Sequence, residues 1–150
     1  MSKKIQLGVN IDHAATLRQV RGGTTSYPDL LELTQIVNLG GGSQITIHLR
    51  EDRRHIQDDD VVKLCKKSKL PINLEMAVDP KMLKVALKNK PKWVCFVPEK
   101  REELTTEGGL NILKVSSKIK EFTLILNKNK INIDFYILFV LNISLYHIDI

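Results

Sequence analysis

Cysteine, proline, glycine and aromatic residues are all scarce in this 150-residue chain, and each shortage removes a class of protein. The two cysteines, Cys65 and Cys95, lack metal-ligand spacing and are too few for a disulfide scaffold. Long apolar runs are missing too. The longest, Phe135–Leu141, falls far below the roughly 20 residues a bilayer-spanning helix needs, so no membrane partner is expected. The opening Met-Ser-Lys-Lys-Ile-Gln leads into a strand-like run rather than the apolar core of a signal peptide, which makes the cytoplasm the expected compartment. Net charge is +6, but it comes mostly from scattered lysines, 17 against 6 arginines, a weak footprint for nucleic acid.

The shortages are also uneven. Pro98 is the last proline, Gly109 the last glycine and Ala86 the last alanine. Turns, helix caps and tight helix packing draw on these residues, so the regular pattern is expected to fail beyond them. Ile131–Ile150 is rich in isoleucine, leucine and aromatics and reads as one further strand plus an apolar extension. The expected division is therefore 1–134 as the folded unit and 135–150 as a tail.

What the chain does have is a strand–helix rhythm. Short apolar runs at Ile5–Ile11, Gln44–Leu49, Pro71–Leu74 and Trp93–Val97 read as strands, and Asp29–Asn38, Asp58–Lys67 and Pro80–Asn89 carry helical periodicity. Asp29 after Pro28, and Asp79 before Pro80, are good helix starts. Alternation of this kind predicts parallel strands in an α/β fold.

Within the strands a period of two separates apolar from polar residues. Ile45, Ile47 and Leu49 oppose Thr46, His48 and Arg50, while Ile72 and Leu74 oppose Asn73 and Glu75. Central strands of an open doubly wound sheet bury both faces and read as continuous apolar runs. Strands with one apolar face and polar groups at their C-terminal ends instead fit a (β/α)8 TIM-barrel type, of which about the first four to five βα units are present.

The polar groups cluster at strand ends. Thr46–His55 packs two histidines, three arginines and two carboxylates into one short stretch. Imidazoles that titrate near neutrality, beside guanidiniums that fork onto phosphate, suit acid–base work on a phosphorylated molecule. A solvated charged turn is the plainer alternative. Glu51 and Asp52 interrupt the arginines and no aromatic platform accompanies them, which argues against a nucleic-acid partner. Asn10, Asp12 and His13 end the first strand, where Asp12 either orients an imidazole or caps a turn. Leu17–Gly23 reads as a loop whose arginines, Arg18 and Arg21, lie beside glycines that permit close approach of a phosphate. Glu75, pointing inward, is either a general base or one half of a buried salt bridge, with Arg50 as the candidate partner. Val97–Arg101 and Leu104–Gly109 form a polar loop after the fourth strand.

Taken together, Gly8-Val-Asn-Ile-Asp-His13, His48-Leu-Arg-Glu-Asp-Arg-Arg-His55, Asn73-Leu-Glu-Met-Ala77, Val97-Pro-Glu-Lys-Arg101 and Thr105-Thr-Glu-Gly-Gly109 resemble the pyridoxine 5'-phosphate synthase family. The resemblance runs from about Ile5 to Leu110. It implies a cytoplasmic (β/α)8 barrel that assembles as a homo-octamer and uses no metal or organic cofactor. The implied reaction condenses 1-deoxy-D-xylulose 5-phosphate with 3-amino-2-oxopropyl phosphate to pyridoxine 5'-phosphate, phosphate and water. His48 and Glu75 are implied as general bases, and Asn10 and Arg21 as contacts of the amino-ketone phosphate. Asp12, His13, Arg50, His55 and Thr105 are implied to hold the deoxyxylulose phosphate. The family's later acidic residue, its proton-donating histidine and its last glycine-rich loops have no counterpart here, so the expectation is a family member cut short. The competing expectation is a non-catalytic half barrel that binds sugar phosphates or a full-length partner.

Overall fold

The computed structural model describes residues 6–22, 24–99, 110 and 112–135. Its strands are β1 (Gly8–Asn10), β2 (Gln44–His48), β3 (Ile72–Met76), β4 (Trp93–Phe96) and β5 (Asn132–Phe135). Its helices are α1 (Asp12–Val20), α2 (Leu30–Leu39), α3 (Asp58–Lys67), α4 (Pro80–Asn89) and α5 (Ile112–Lys128). Every strand runs parallel to the one before it, and the sheet order is β1-β2-β3-β4-β5. A doubly wound sheet would reverse direction at a switch point. None occurs here, so the sheet is the successive-strand arc of a partial TIM barrel.

The strand alternation sorts residues as their sequence demands. Ile45, Ile47, Leu74, Val94 and Phe96 are fully buried, packed with Ala15, Leu64, Ala86 and Leu126 from the helices. Each large side chain removed from water contributes about 1.5–3 kcal/mol. Phe96 sits 6.3 Å from Phe122 of α5 and 5.8 Å from Phe135 of β5, ring centre to ring centre, and so ties the last βα unit to the core. On the opposite face the register aligns Thr46, Asn73, Trp93 and Asn132 in one row, and His48, Glu75, Cys95 and Asp134 in the next.

Caps fix the helix starts. Asp29 accepts from the Leu31 and Glu32 amides, and Asp79 accepts from Lys81, with Pro80 as the first helical residue. In the α2–β2 turn Gly41 holds φ +88°, and a Cβ at Gly42 would collide with Val37. Among the described residues, no helix is long and apolar enough to cross a membrane.

Two expectations need correcting. Leu17–Val20 is the last part of helix α1, not a loop: Ala14, Ala15, Leu17, Arg18 and Gln19 are strong helix formers that override a start at Ile11 with no side-chain cap. The rhythm also continues beyond Gly109 through α5, a helix the sequence leaves unassigned, into β5, the one further strand expected. The turn between them does without glycine: Asn129 bonds the Ile125 carbonyl through its side chain, and Lys130 adopts φ +60°. Arg18 has a structural job. It forks onto Asp60 at 2.8 and 2.5 Å, pinning α1 to the first turn of α3, where Asp60 also accepts from the Gln57 amide in a capping box. Residues 136–150, which hold nearly all of the expected tail, lie outside the described residues.

Candidate active site

The C-terminal ends of β1, β2, β3 and β4 deliver one polar group after another to the same place. Asp12, the first residue of α1, works as a clamp. One of its oxygens accepts the His48 backbone N–H at 2.8 Å, and the other accepts from the Asn10 side-chain amide at 2.9 Å. Asn10 returns the bond by accepting the Asp12 N–H at 2.8 Å. This exchange fixes the end of β1 against the end of β2, where His48 emerges with only 4% of its surface exposed.

Glu75 lies directly across from His48 in the sheet register. Burial pushes its carboxyl above the ordinary range; the His48 charge opposes the rise and the Asp12 charge adds to it. No ion pair holds it among the described residues, so the salt bridge to Arg50 is not formed. Asp12, His48 and Glu75 each bring a nitrogen or oxygen within 4.8 Å of the others. Among the described residues this is the group that could hold a divalent cation. Both Asp12 oxygens are already engaged by N–H donors, however, so the convergence suits proton transfer better.

Glu99 completes the cluster from the end of β4. Its carboxylate accepts the Glu51 N–H at 2.7 Å, lies 3.4 Å from His48 Nε2 and sits 3.9 Å from Arg50 Nε. Burial works to raise the Glu99 carboxyl, but the His48 contact, the Glu51 amide and Arg50 outweigh it and hold it low. Two carboxylates around His48 are thus driven apart, Glu75 toward a proton and Glu99 toward ionisation. Such divergence marks acid–base sites. Glu99 lies in the polar loop expected after the fourth strand, but local sequence assigns it no role, because its partners are 48 to 51 residues away.

The charged stretch after β2 divides by function. Arg50 points inward, 2% exposed, with Asp52 at 3.8 Å from its Nε. Arg53 and Arg54 instead hold the turn together, Arg53 on Asp58 and Arg54 on Asp52. His55 returns to the site, its ring 6.0 Å from that of His48. His55 Nδ1 accepts the Ile56 N–H at 2.8 Å, which leaves the proton of the neutral ring on Nε2. Burial is the main force keeping this imidazole below its ordinary pKa, with the His48 and Arg50 charges lowering it further against Asp12 and Asp52.

The structure therefore assembles Asn10, Asp12, His48, Glu75, Arg50 and His55, and adds Glu99. His13 is exposed on α1, and no hydrogen bond ties its side chain to another described residue. Arg21 lies just past α1 with its guanidinium 5.9 Å from the centre of the Tyr27 ring, and no bond ties it to the His48 cluster among the described residues. Thr105 lies outside the described residues.

Comparison with known proteins bears on this arrangement. Residues 7–140 match the family model described as "Pyridoxal phosphate biosynthesis protein PdxJ". The chain is 60% identical over 119 residues to the pyridoxine 5'-phosphate synthase of Bdellovibrio bacteriovorus, covering 79% of this chain and 49% of that protein. It is 49% identical over 132 residues to the Pelagibacter ubique protein of the same name, covering 88% of this chain and 54% of the relative. The chain thus spans about half the length of the curated relatives it matches. With the match running from the first strand through the fifth, the chain belongs to the PdxJ family of pyridoxal phosphate biosynthesis proteins.

Proposed function

We propose that this chain carries the His48–Glu75 half of a pyridoxine 5'-phosphate synthase site. The reaction would condense 1-deoxy-D-xylulose 5-phosphate with 3-amino-2-oxopropyl phosphate, releasing phosphate and water. The observation that carries this reading is the convergence of Asp12, His48 and Glu75 at one end of the sheet, with Arg50 beside them.

Ring closure between an amino ketone and a sugar ketone needs protons removed from carbon and nitrogen and delivered to departing hydroxyls. Groups that change protonation near neutrality do this best. Glu75, half-buried and without an ion pair among the described residues, takes the first base role. His48 takes the second. With ionised Glu99 beside Nε2, the proton of neutral His48 is held on that nitrogen and Nδ1 keeps its lone pair. Arg50 and His55 present N–H donors to the deoxyxylulose phosphate, assisted by Asp12, His13 and Thr105, while Asn10 and Arg21 serve the amino-ketone phosphate. Substrates are small phosphorylated molecules, with no nucleic-acid or membrane partner. By family likeness the reading includes no metal or organic cofactor, a homo-oligomer and a cytoplasmic location.

The test is calorimetric titration with deoxyxylulose phosphate, paired with an assay for pyridoxine 5'-phosphate from both substrates. Saturable binding is expected, lost in Arg50→Ala and retained in Glu75→Gln, with product formation abolished in Glu75→Gln. Absence of binding to the unaltered chain, or product formation that survives Glu75→Gln, would overturn the reading.

A further inference from the structure

At the end of the sheet opposite His48, the loops leading into β3, β4 and β5 surround a cavity of about 490 Å³. Four lysines, Lys69, Lys90, Lys92 and Lys130, line it together with Trp93. No carboxylate lines it, and none of the four ammonium groups has an ion pair among the described residues. We infer that this cavity is a second ligand site, which takes a phosphorylated compound with a flat ring.

Three observations carry the inference. The volume lies within the roughly 300–1,000 Å³ of small-molecule sites. The four lysines are exposed and without an ion pair among the described residues, so a bound polyanion can pair with several of them at once. Lysine ammonium groups are ordinary phosphate binders, and the half-buried indole offers a face on which a ring can stack.

The backbone bears on the same cavity. Among the described residues, non-glycine positive φ occurs at Arg53, Lys90 and Lys130, and two of these three line the cavity. Lys90 follows the end of α4 at φ +50°, and Lys130 follows the end of α5 at φ +60°. Glycine or asparagine suits such left-handed positions, so lysine there carries a conformational cost. Neutralising helix dipoles does not explain the choice, because the last turns of α3, α4 and α5 already hold Lys66, Lys67, Lys88 and Lys128. The cost is retained at two residues that line the cavity.

The chain has one tryptophan, so its fluorescence reports on this cavity. Titration with ADP is expected to change Trp93 emission saturably, with pyrophosphate at least tenfold weaker and adenosine without effect. The double variant Lys90→Gly/Lys130→Gly relieves the backbone strain, so its Tm should rise while its ADP affinity falls at least tenfold. Arg50→Ala should leave the response unchanged, which separates this site from the one at the other end of the sheet. A flat titration to millimolar ADP, pyrophosphate binding as tightly as ADP, or a glycine variant that binds ADP undiminished would each overturn the proposal.

Discussion

Asymmetry is the test of the Arg18–Asp60 pair that anchors α1. The guanidinium and carboxylate are 15% and 11% exposed, so neither can be abandoned by its partner without consequence. Replacing Arg18 by methionine keeps the apolar stem but removes a bidentate pair. Asp60 still accepts from the Gln57 amide and sits in the first turn of α3, where the helix dipole favours a negative charge. Hydrogen bonds to charged groups are worth about 1.5–3 kcal/mol, so a loss of about 2 kcal/mol is expected. Asp60→Ala removes the pair, removes a cap worth about 1 kcal/mol and strands a largely buried guanidinium. Breaking a buried pair from one side costs about 3–5 kcal/mol, and partial exposure favours the low end, giving about 4 kcal/mol with the cap. In the double variant no charge is stranded, so it should be more stable than Asp60→Ala alone by about 1 kcal/mol. Urea unfolding followed by Trp93 fluorescence reads this directly. With a slope of about 2 kcal/mol per molar, the midpoint falls by about 1 M for Arg18→Met and about 2 M for Asp60→Ala. A double variant less stable than Asp60→Ala would refute the reasoning, because the two losses would then be adding rather than compensating.

Other consequences follow from the site's electrostatics and caps. Because the folded pKa of Glu75 is raised, ionising it opposes folding above that pKa. Glu75→Gln should therefore be more stable than the unaltered chain near pH 7, with the gain shrinking as pH falls and Glu75 takes up its proton. A chemical denaturation series across pH checks the sign. For His55 the folded pKa is lowered, so the unfolded chain binds the proton more tightly and stability is lost as pH drops through the unfolded value, about 6.5. A His55→Gln variant should lose less stability on that descent. In Asp79→Ala, loss of the bond to the Lys81 amide should cost about 1 kcal/mol, readable as a lowered urea midpoint.

Much of this architecture was legible because it is encoded locally. The period of two in Gln44–His48 and Ile72–Met76 set which side chains face the helices, and register then placed His48 beside Glu75. Asp29 and Asp79 announced their helices, since a capping carboxylate acts within three residues of itself. What escaped notice depends on partners far along the chain. The contacts of Glu99 with His48 and Arg50, and of Arg18 with Asp60, span dozens of residues and leave no local pattern. Helix α1 was hidden for another reason: Ile11 cannot cap, so its start lacks the polar signal that marked α2 and α4. The division of Arg50, Arg53 and Arg54 between site and turn was equally invisible, because all three look alike until the backbone turns at Arg53, φ +55°.

The order of the strands also bears on how the sheet can be built. Pairing begins between residues 36, 27, 20 and 39 positions apart, for Gly8–Gln44, Ile45–Ile72, Asn73–Trp93 and Trp93–Asn132. Among the described residues, no strand waits for a partner synthesised much later. As the chain emerges from its N-terminus, each new strand finds the preceding one already in place, and the clamp of Asp12 on His48 can close before Glu75 is made. His48 and Glu99 would then be set in chain order, each held by groups that precede it.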